Sequence, residues 1–204
     1  MSLRGWLWTA AAVAVLGFAG LVLIRHEGAS QGPTATQAAA IGGPFHMVDQ
    51  TGKPVDQTLL NGKWSAVFFG YTYCPDVCPT TLQMLGAASR GLGGKANDFQ
   101  VVFVSVDPAR DTPKQLKDYL SNSVFPPGAI GLTGTPQEVA AIAQAYGVYY
   151  QKQGAGADYA VNHSAAIYLM NPNGRFDSVI SPQASPDQAK AAILKAMDGG
   201  AANG

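Results

Sequence analysis

Residues 64–82 read WSAVFFGYTYCPDVCPTTL and contain the most informative pattern of the chain. This stretch opens with an apolar, β-rich run over residues 64–71, which is the pattern of a buried strand. A Cys-Pro pair follows, and apolar residues then recur at helix-like spacing at Val77, Leu82, Leu85 and Leu92. The stretch therefore predicts a strand, a turn that carries two cysteines, and a helix.

Strands and helices continue to alternate after this stretch. Residues 99–106 (FQVVFVSV) are nearly all apolar, as in a central strand covered on both faces. Residues 130–133 predict a short strand, and residues 165–170 and 176–180 predict a hairpin around the turn NPNG. Three helix starts share an N-cap residue, a proline at the first helical position and a capping-box partner: Thr112-Pro113, Thr135-Pro136 and Ser185-Pro186.

A further hairpin is predicted at the start of the domain, with strands over residues 45–48 and 53–55. The alternation of strands and helices predicts an α/β layered domain with a mostly parallel sheet, to which the late hairpin adds an antiparallel edge. A domain of about 150 residues buries close to 70% of its unfolded surface, so it folds without a disulfide scaffold or a structural metal. The two cysteines of the chain are therefore free for chemistry.

Composition excludes several function classes. The 204 residues carry 13 Lys+Arg and 13 Asp+Glu, a net charge of zero, without the basic surplus that nucleic-acid binding requires. A mean hydropathy of +0.06 is too low for a protein with several membrane spans.

The N-terminus predicts a membrane anchor. Residues 6–24 are apolar except for one threonine and are long enough to cross a hydrocarbon core, which takes about 20 residues. A cleaved signal peptide is the alternative. We predict a single-pass anchor over residues 1–27 in the inner (cytoplasmic) membrane, a flexible tether over 28–40, a folded domain over 41–198 on the periplasmic or equivalent exported side, and a disordered tail over 199–204.

The cysteines Cys74 and Cys78 lie at the predicted junction between strand and helix. Free amides and the positive end of a helix dipole at such a junction favour thiolates. Side chains four residues apart on a regular helix are wider apart than a disulfide prefers, so the spacing leans towards a metal site, with a structural disulfide as the alternative.

A third metal donor is sought among the histidines, and His163 is the best candidate. It stands just before the predicted strand over 165–170, where a loop can face the cysteines if that strand runs antiparallel. Two thiolates and one imidazole suit Cu(I) or zinc, and the lack of an obvious fourth ligand favours a copper ion as the bound metal.

Three separated motifs resemble the Sco/SenC/PrrC family: FFGYTYCPDVCPTTL, VSVDPARDTP and VNHSAAIYLMNPNGRF. Members of that family are membrane-anchored copper chaperones for cytochrome c oxidase assembly. The resemblance spans roughly residues 41–198 and implies a thioredoxin-like α/β fold with an inserted β-hairpin beside the N-terminal one. It also implies copper ligation by Cys74, Cys78 and His163.

The same resemblance implies partners and neighbouring residues. The copper would be delivered to the CuA centre of cytochrome c oxidase subunit II, and another copper chaperone is a possible second partner. Asp107 would lie close to the metal and serve partner contact or ligand positioning, and we also expect Asp76 beside the site. Asn162 and Asn171 stand where Asp is common in the family, and a carboxylate beside His163 would orient the imidazole.

Two other functions stay open for the same dithiol. The chain could be a thiol-disulfide reductase that keeps the partner's copper-ligand cysteines reduced, with Cys74 attacking and Cys78 resolving. It could also be a redox or copper sensor. His163 distinguishes a metal-binding function from a thiol-disulfide reductase, because metal binding needs this residue and disulfide exchange largely does not.

Overall fold

The computed structural model describes residues 41–200. The predicted anchor over residues 1–27 and the tether over 28–40 lie outside the described residues. Within residues 41–200, the helices are all too short or too polar to cross a membrane. The last helix extends to Gly200, past the predicted boundary at residue 198.

The helices of this domain are few and begin where the sequence predicts them to begin. They are α1 (Val77–Arg90), α2 (Pro113–Leu120), α3 (Pro136–Ala145) and α4 (Pro186–Gly200). Thr135 and Ser185 each form the complete capping box with Glu138 and Gln188. Thr112 caps α2 in the same way, but the Gln115 side chain does not return to the cap and donates to Thr72 Oγ1 instead.

Seven strands form the main sheet. In chain order they are β1 (His46–Asp49), β2 (Pro54–Asp56), β3 (Trp64–Gly70), β4 (Phe99–Ser105), β5 (Ile130–Thr133), β8 (Ile167–Met170) and β9 (Phe176–Ile180). Their spatial order is β2-β1-β5-β4-β3-β8-β9. Strands β6 (Tyr150–Gln153) and β7 (Ala160–His163) form a separate two-stranded sheet.

The sheet is mixed, so the prediction of a mostly parallel sheet was wrong. Parallel pairing joins β3 to β4 and β4 to β5, whereas β8 and β9 add an antiparallel edge on one side. On the other side β1 pairs antiparallel with β5, and β2 pairs antiparallel with β1 at the edge of the sheet. The N-terminal hairpin was predicted, but its place in the main sheet depends on contacts that are distant in sequence.

The core lies around the two central strands. Every residue of β3 is buried, and β4 is buried throughout except for Gln100, as expected of apolar strands covered on both faces. Phe68 and Phe103 sit side by side on these strands, with ring centroids 5.9 Å apart. Because β3 and β4 run parallel, their carboxyl ends meet at one edge of the sheet, which is the usual place for a site in an open α/β fold.

Candidate metal centre

The two cysteines follow the carboxyl end of β3. The strand ends at Gly70, and α1 begins at Val77. Cys74 therefore lies in the turn before the helix, where its N–H donates to the Tyr71 carbonyl at 3.2 Å, and Cys78 lies in the first turn of the helix. Cys74 lies outside helical geometry because Pro75 and Asp76 precede the helical residues, so the spacing on a regular helix does not argue against a disulfide here.

His163 reaches the cysteines through the pairing of β8. Ile167 at the start of β8 lies opposite Phe68 near the end of β3 in an antiparallel register. Residues just upstream of β8 therefore lie beside the carboxyl end of β3, and His163 ends β7 there. This confirms the predicted antiparallel course of the strand, and the structure brings His163 to the two cysteines.

The three side chains form one compact donor group. The Cys74 and Cys78 sulfurs and an imidazole nitrogen of His163 all lie within 4.8 Å of one another. His163 Nε2 is 3.5 Å from Cys78 Sγ. Cys78 is fully buried, while Cys74 and His163 are partly exposed. Both cysteines are free thiols, so the sulfurs are available as ligands.

The imidazole of His163 is oriented by its own backbone neighbour. Its Nδ1 lies 3.0 Å from the Ser164 carbonyl oxygen, and because a carbonyl only accepts, Nδ1 carries the proton. The other ring nitrogen, Nε2, then faces the sulfurs. Phe68 and Tyr71 pack edge-on against the ring. Asn162 is exposed on the other face of β7, so a carboxylate at that position would point away from the imidazole.

Cys74 and Cys78 differ in pKa. Cys78 donates its thiol hydrogen to the Cys74 sulfur, and with His163 and the N–H groups of Cys78 and Asp76 this lowers the pKa of Cys74 to about 3. The pKa of Cys78 is raised, first by that hydrogen bond and then by burial. Cys74 is therefore a thiolate and Cys78 a thiol at neutral pH.

The two acidic residues expected near the site occupy different positions. Asp76 has an exposed side chain that accepts from Thr80 Oγ1, and only its backbone N–H reaches Cys74. Asp107 follows β4 and is buried, with its carboxylate bound to Tyr159 and Arg110 rather than to the donor group. A positioning role for Asp107 remains a prediction.

A second buried carboxylate beside the site was missed in the sequence. Asp111 is fully buried and accepts hydrogen bonds from Thr72 N and Thr72 Oγ1 at 3.0 and 2.7 Å, and from Ser105 Oγ at 2.7 Å. It ties the segment that leads to Cys74 to the end of β4. Burial raises the pKa of Asp111, against the lowering effect of these hydrogen bonds. Its place in the VDPARDTP motif was the available signal.

The comparison with known protein families gives a match over most of the chain. The family model described as SCO1/SenC matches residues 33–198. The chain belongs to the SCO1/SenC family.

Individual members of the SCO1/SenC family are also similar to most of this chain. SenC of Rhodobacter capsulatus is 40% identical over 185 residues, which are 88% of this chain and 83% of SenC. The mitochondrial SCO1 homolog 1 of Arabidopsis thaliana is 45% identical over 148 residues, 72% of this chain but 43% of the relative. The chain thus spans less than half the length of the plant protein.

Solved structures of the family support the fold. The Bradyrhizobium japonicum ScoI structure with copper bound is 44% identical, with a TM-score of 0.71, and the match covers 76% of this chain and 99% of that one. Two sulfurs and an imidazole nitrogen are donors that suit a soft ion such as Cu(I). The chemistry of the donor group in this chain therefore fits the metal found in that relative.

Proposed function

We propose that this chain is a copper chaperone in which Cys74, Cys78 and His163 hold a copper ion. The observation that carries the proposal is the donor group itself, with its three ligating atoms within 4.8 Å. Copper-bound structures of SCO1/SenC relatives support the choice of metal.

The donor set favours copper over zinc. Among the side chains of His, Cys, Asp and Glu in residues 41–200, three converge at this site. Thiolates bind both metals, but structural zinc takes four ligands in tetrahedral geometry, so a group of three donors suits Cu(I) better. The Cys74 thiolate, with its pKa of about 3, offers a ready ligand at any physiological pH.

The arrangement also suits transfer. Cys78 is buried, but Cys74 and His163 are partly exposed, so an incoming thiolate can approach the ion from their side. An acceptor replaces the ligands one at a time, and the ion need not be free in solution. We propose that the acceptor is the CuA centre of cytochrome c oxidase subunit II, as the family resemblance implies, and that another copper chaperone loads or shares the site.

The N-terminal sequence and the family support a membrane location. We propose that residues 1–27 anchor the chain in the inner membrane by one span and that the domain lies on the periplasmic or equivalent exported side. The apolar run over residues 6–24 supports this.

The test is direct transfer between purified proteins. The copper-loaded chain is mixed anaerobically with the metal-free soluble domain of an oxidase subunit II. A stoichiometric one-electron oxidant is then added, and the mixed-valence CuA centre is measured by its visible absorbance. We expect the centre to form with the parent chain and to fail with Cys74→Ser. Equal formation with the parent and with Cys74→Ser would contradict the proposal.

A second candidate function, thiol-disulfide reduction, is favoured by the thiolate of Cys74. Cys74 would attack a partner disulfide and release one partner thiolate. The Cys78 thiol would then lose its proton to the second partner sulfur and attack Cys74, leaving a Cys74–Cys78 disulfide and a reduced partner. The two electrons of the new disulfide match the two gained by the partner.

The same thiolate makes this candidate weaker than copper binding. A thiol attacks fastest when its pKa lies near ambient pH, and nucleophilicity falls as the pKa falls, so the lowered pKa of Cys74 slows the attack. His163→Ala separates the two functions. Disulfide reduction persists in this variant if thiol exchange is the function, while copper transfer is lost if the chain is a copper chaperone.

A further inference from the structure

The hairpin that carries His163 is weakly attached to the rest of the domain. Strands β6 and β7 pair only with each other and form a sheet of their own. Most of their side chains are exposed, and of β7 only Val161 is buried. An isolated two-stranded hairpin is at best marginally stable in water. Specific contacts must therefore hold it over the cysteines.

Two hydrogen bonds join the loop of this hairpin to the segment that follows β4. The Tyr159 hydroxyl donates to Asp107 Oδ1 at 2.6 Å, and Arg110 Nη1 donates to the Ala157 carbonyl at 3.2 Å. Arg110 Nε also donates to Asp107 Oδ2 at 2.5 Å. Because the Asp107 and Arg110 side chains are only 5% and 14% exposed, the two charge-assisted bonds to the Asp107 carboxylate are partly shielded from water, whereas the bond to Ala157 is exposed.

Stacking joins the same residues. The Arg110 guanidinium lies 3.6 Å from the centroid of the Tyr159 ring and 4.7 Å from that of Tyr73, next to Cys74 in the chain. The ammonium of Lys152, on β6, also lies 3.6 Å from the Tyr159 ring centroid. One arginine thus contacts both the hairpin and the cysteine segment.

We propose that Tyr159 and Arg110, both bound by the Asp107 carboxylate, form a latch that holds the His163 hairpin closed over the two cysteines. The proposal rests on the proposed function, because the latch acts through the third copper ligand. The two are positioning residues and do not belong to the donor group. When the latch opens, His163 leaves, the ion stays on two sulfurs, and an acceptor gains access to it.

Tyr159→Phe tests the latch with the least disturbance. It removes the hydroxyl that binds Asp107 and keeps the ring that stacks on Arg110. Tyr149→Phe is the matched control, because Tyr149 adjoins the same hairpin but its hydroxyl donates to Gln151 Oε1. Both variants lose one hydroxyl hydrogen bond of 2.6 Å, and only one loses a bond to Asp107.

Hydrogen exchange in the metal-free protein is the first measurement. We expect amides of residues 150–163 to exchange about tenfold faster in Tyr159→Phe, the low end of the effect of a hydrogen bond to a charged group. Exchange in β3 and β4, and in the whole Tyr149→Phe variant, should match the parent. Unchanged exchange of the hairpin in Tyr159→Phe would overturn the latch.

Copper release is the second measurement, made by stopped-flow mixing of copper-loaded protein with excess bathocuproine disulfonate. We expect Tyr159→Phe to release copper about tenfold faster than the parent, and to have no effect when His163 is already alanine. Equal acceleration in both backgrounds would overturn the latch, since the tyrosine would then act independently of His163. If the parent binds no copper, the proposed function fails, and the exchange measurement alone decides whether the latch holds the hairpin.

Discussion

Gly70 and Cys78 approach each other so closely that glycine is the only residue that fits at position 70. A Cβ on Gly70 would lie 2.7 Å from Cys78 Sγ and 2.8 Å from a ring carbon of Phe103. The last residue of β3 thereby makes room for the buried sulfur of the donor group. The position of the Cys78 sulfur therefore depends on Gly70, which is not itself a ligand.

Gly70→Ala should therefore damage the metal centre as well as the core. The added methyl group must displace the Cys78 sulfur, and overpacking of this kind destabilises a protein by about 1–3 kcal/mol. We expect weaker copper binding in competition with a Cu(I) chelator and a lower midpoint of urea unfolding.

Gly131→Ala is the control for that variant. Its Cβ would meet Leu120 Cδ1 at the same 2.7 Å, but on β5, away from the cysteines. It should lose stability and keep the copper affinity of the parent. Parent-like affinity in Gly70→Ala would show that the sulfur does not need this space.

Alkylation of the metal-free protein should be selective and insensitive to pH. Because the pKa of Cys74 is lowered to about 3, its thiolate is fully formed at neutral pH, whereas Cys78 is buried and protonated. We expect iodoacetamide to modify Cys74 at a rate that is constant from about pH 5 to 8. Peptide mass spectrometry identifies the modified residue, and Cys74→Ser is the control. A rate that rises tenfold per pH unit over this range would indicate an ordinary thiol.

Copper binding should release one thiol proton rather than two. Cys74 is already deprotonated, so only Cys78 has a proton to lose when both sulfurs become ligands. We expect one proton per copper at pH 8, measured with a pH indicator in weakly buffered, anaerobic solution. The Cys78→Ser variant has no protonated thiol at this site, so we expect copper binding to release no thiol proton from it. Two protons per copper in the parent would mean that Cys74 is protonated in the free protein.

Asp111 should make stability depend on pH in a defined direction. Burial raises its folded-state pKa above the ordinary 3.8, so between these two values the folded state binds more protons than the unfolded state. The free energy of unfolding then falls as pH rises through this window, which starts at about pH 4.

Asp111→Asn removes this dependence. The difference in unfolding free energy, parent minus variant, should decrease from about pH 4 upwards and become constant above the folded-state pKa of Asp111. Loss of the hydrogen bonds from Thr72 and Ser105 also lowers the stability of the variant, so the slope with pH and not the absolute difference is the readout. Urea unfolding at a series of pH values measures the slope, and a difference that increases with pH would contradict the assignment.

The sequence predicts the elements with strong local signals. The prolines Pro113, Pro136 and Pro186 begin helices in the structure because each follows an N-cap residue and has a backbone angle suited to the first turn. Residues 130–133 form a strand with the predicted bounds. The donor group was also predictable, because β3 and β8 direct their flanking loops to the same edge of the sheet.

The hairpin of β6 and β7 shows where prediction from the sequence ends. Family resemblance implied an inserted hairpin, but Tyr150–Gln153 and Ala160–His163 are mostly polar, and Val161 is their one fully buried residue, which is too little for an alternating pattern to reveal. Its attachment through Arg110, Tyr159 and Asp107 joins residues far apart in the chain. Contacts between exposed or half-buried polar side chains leave no periodic signal.

Copper binding by the purified chain distinguishes a three-ligand copper site from a site of the two cysteines alone. Stoichiometry and affinity are measured in reduced, anaerobic solution for the parent, Cys74→Ser and His163→Ala. We expect one tightly bound copper ion per parent chain and loss of tight binding in both variants. Binding by His163→Ala as tight as that of the parent would contradict the three-ligand site.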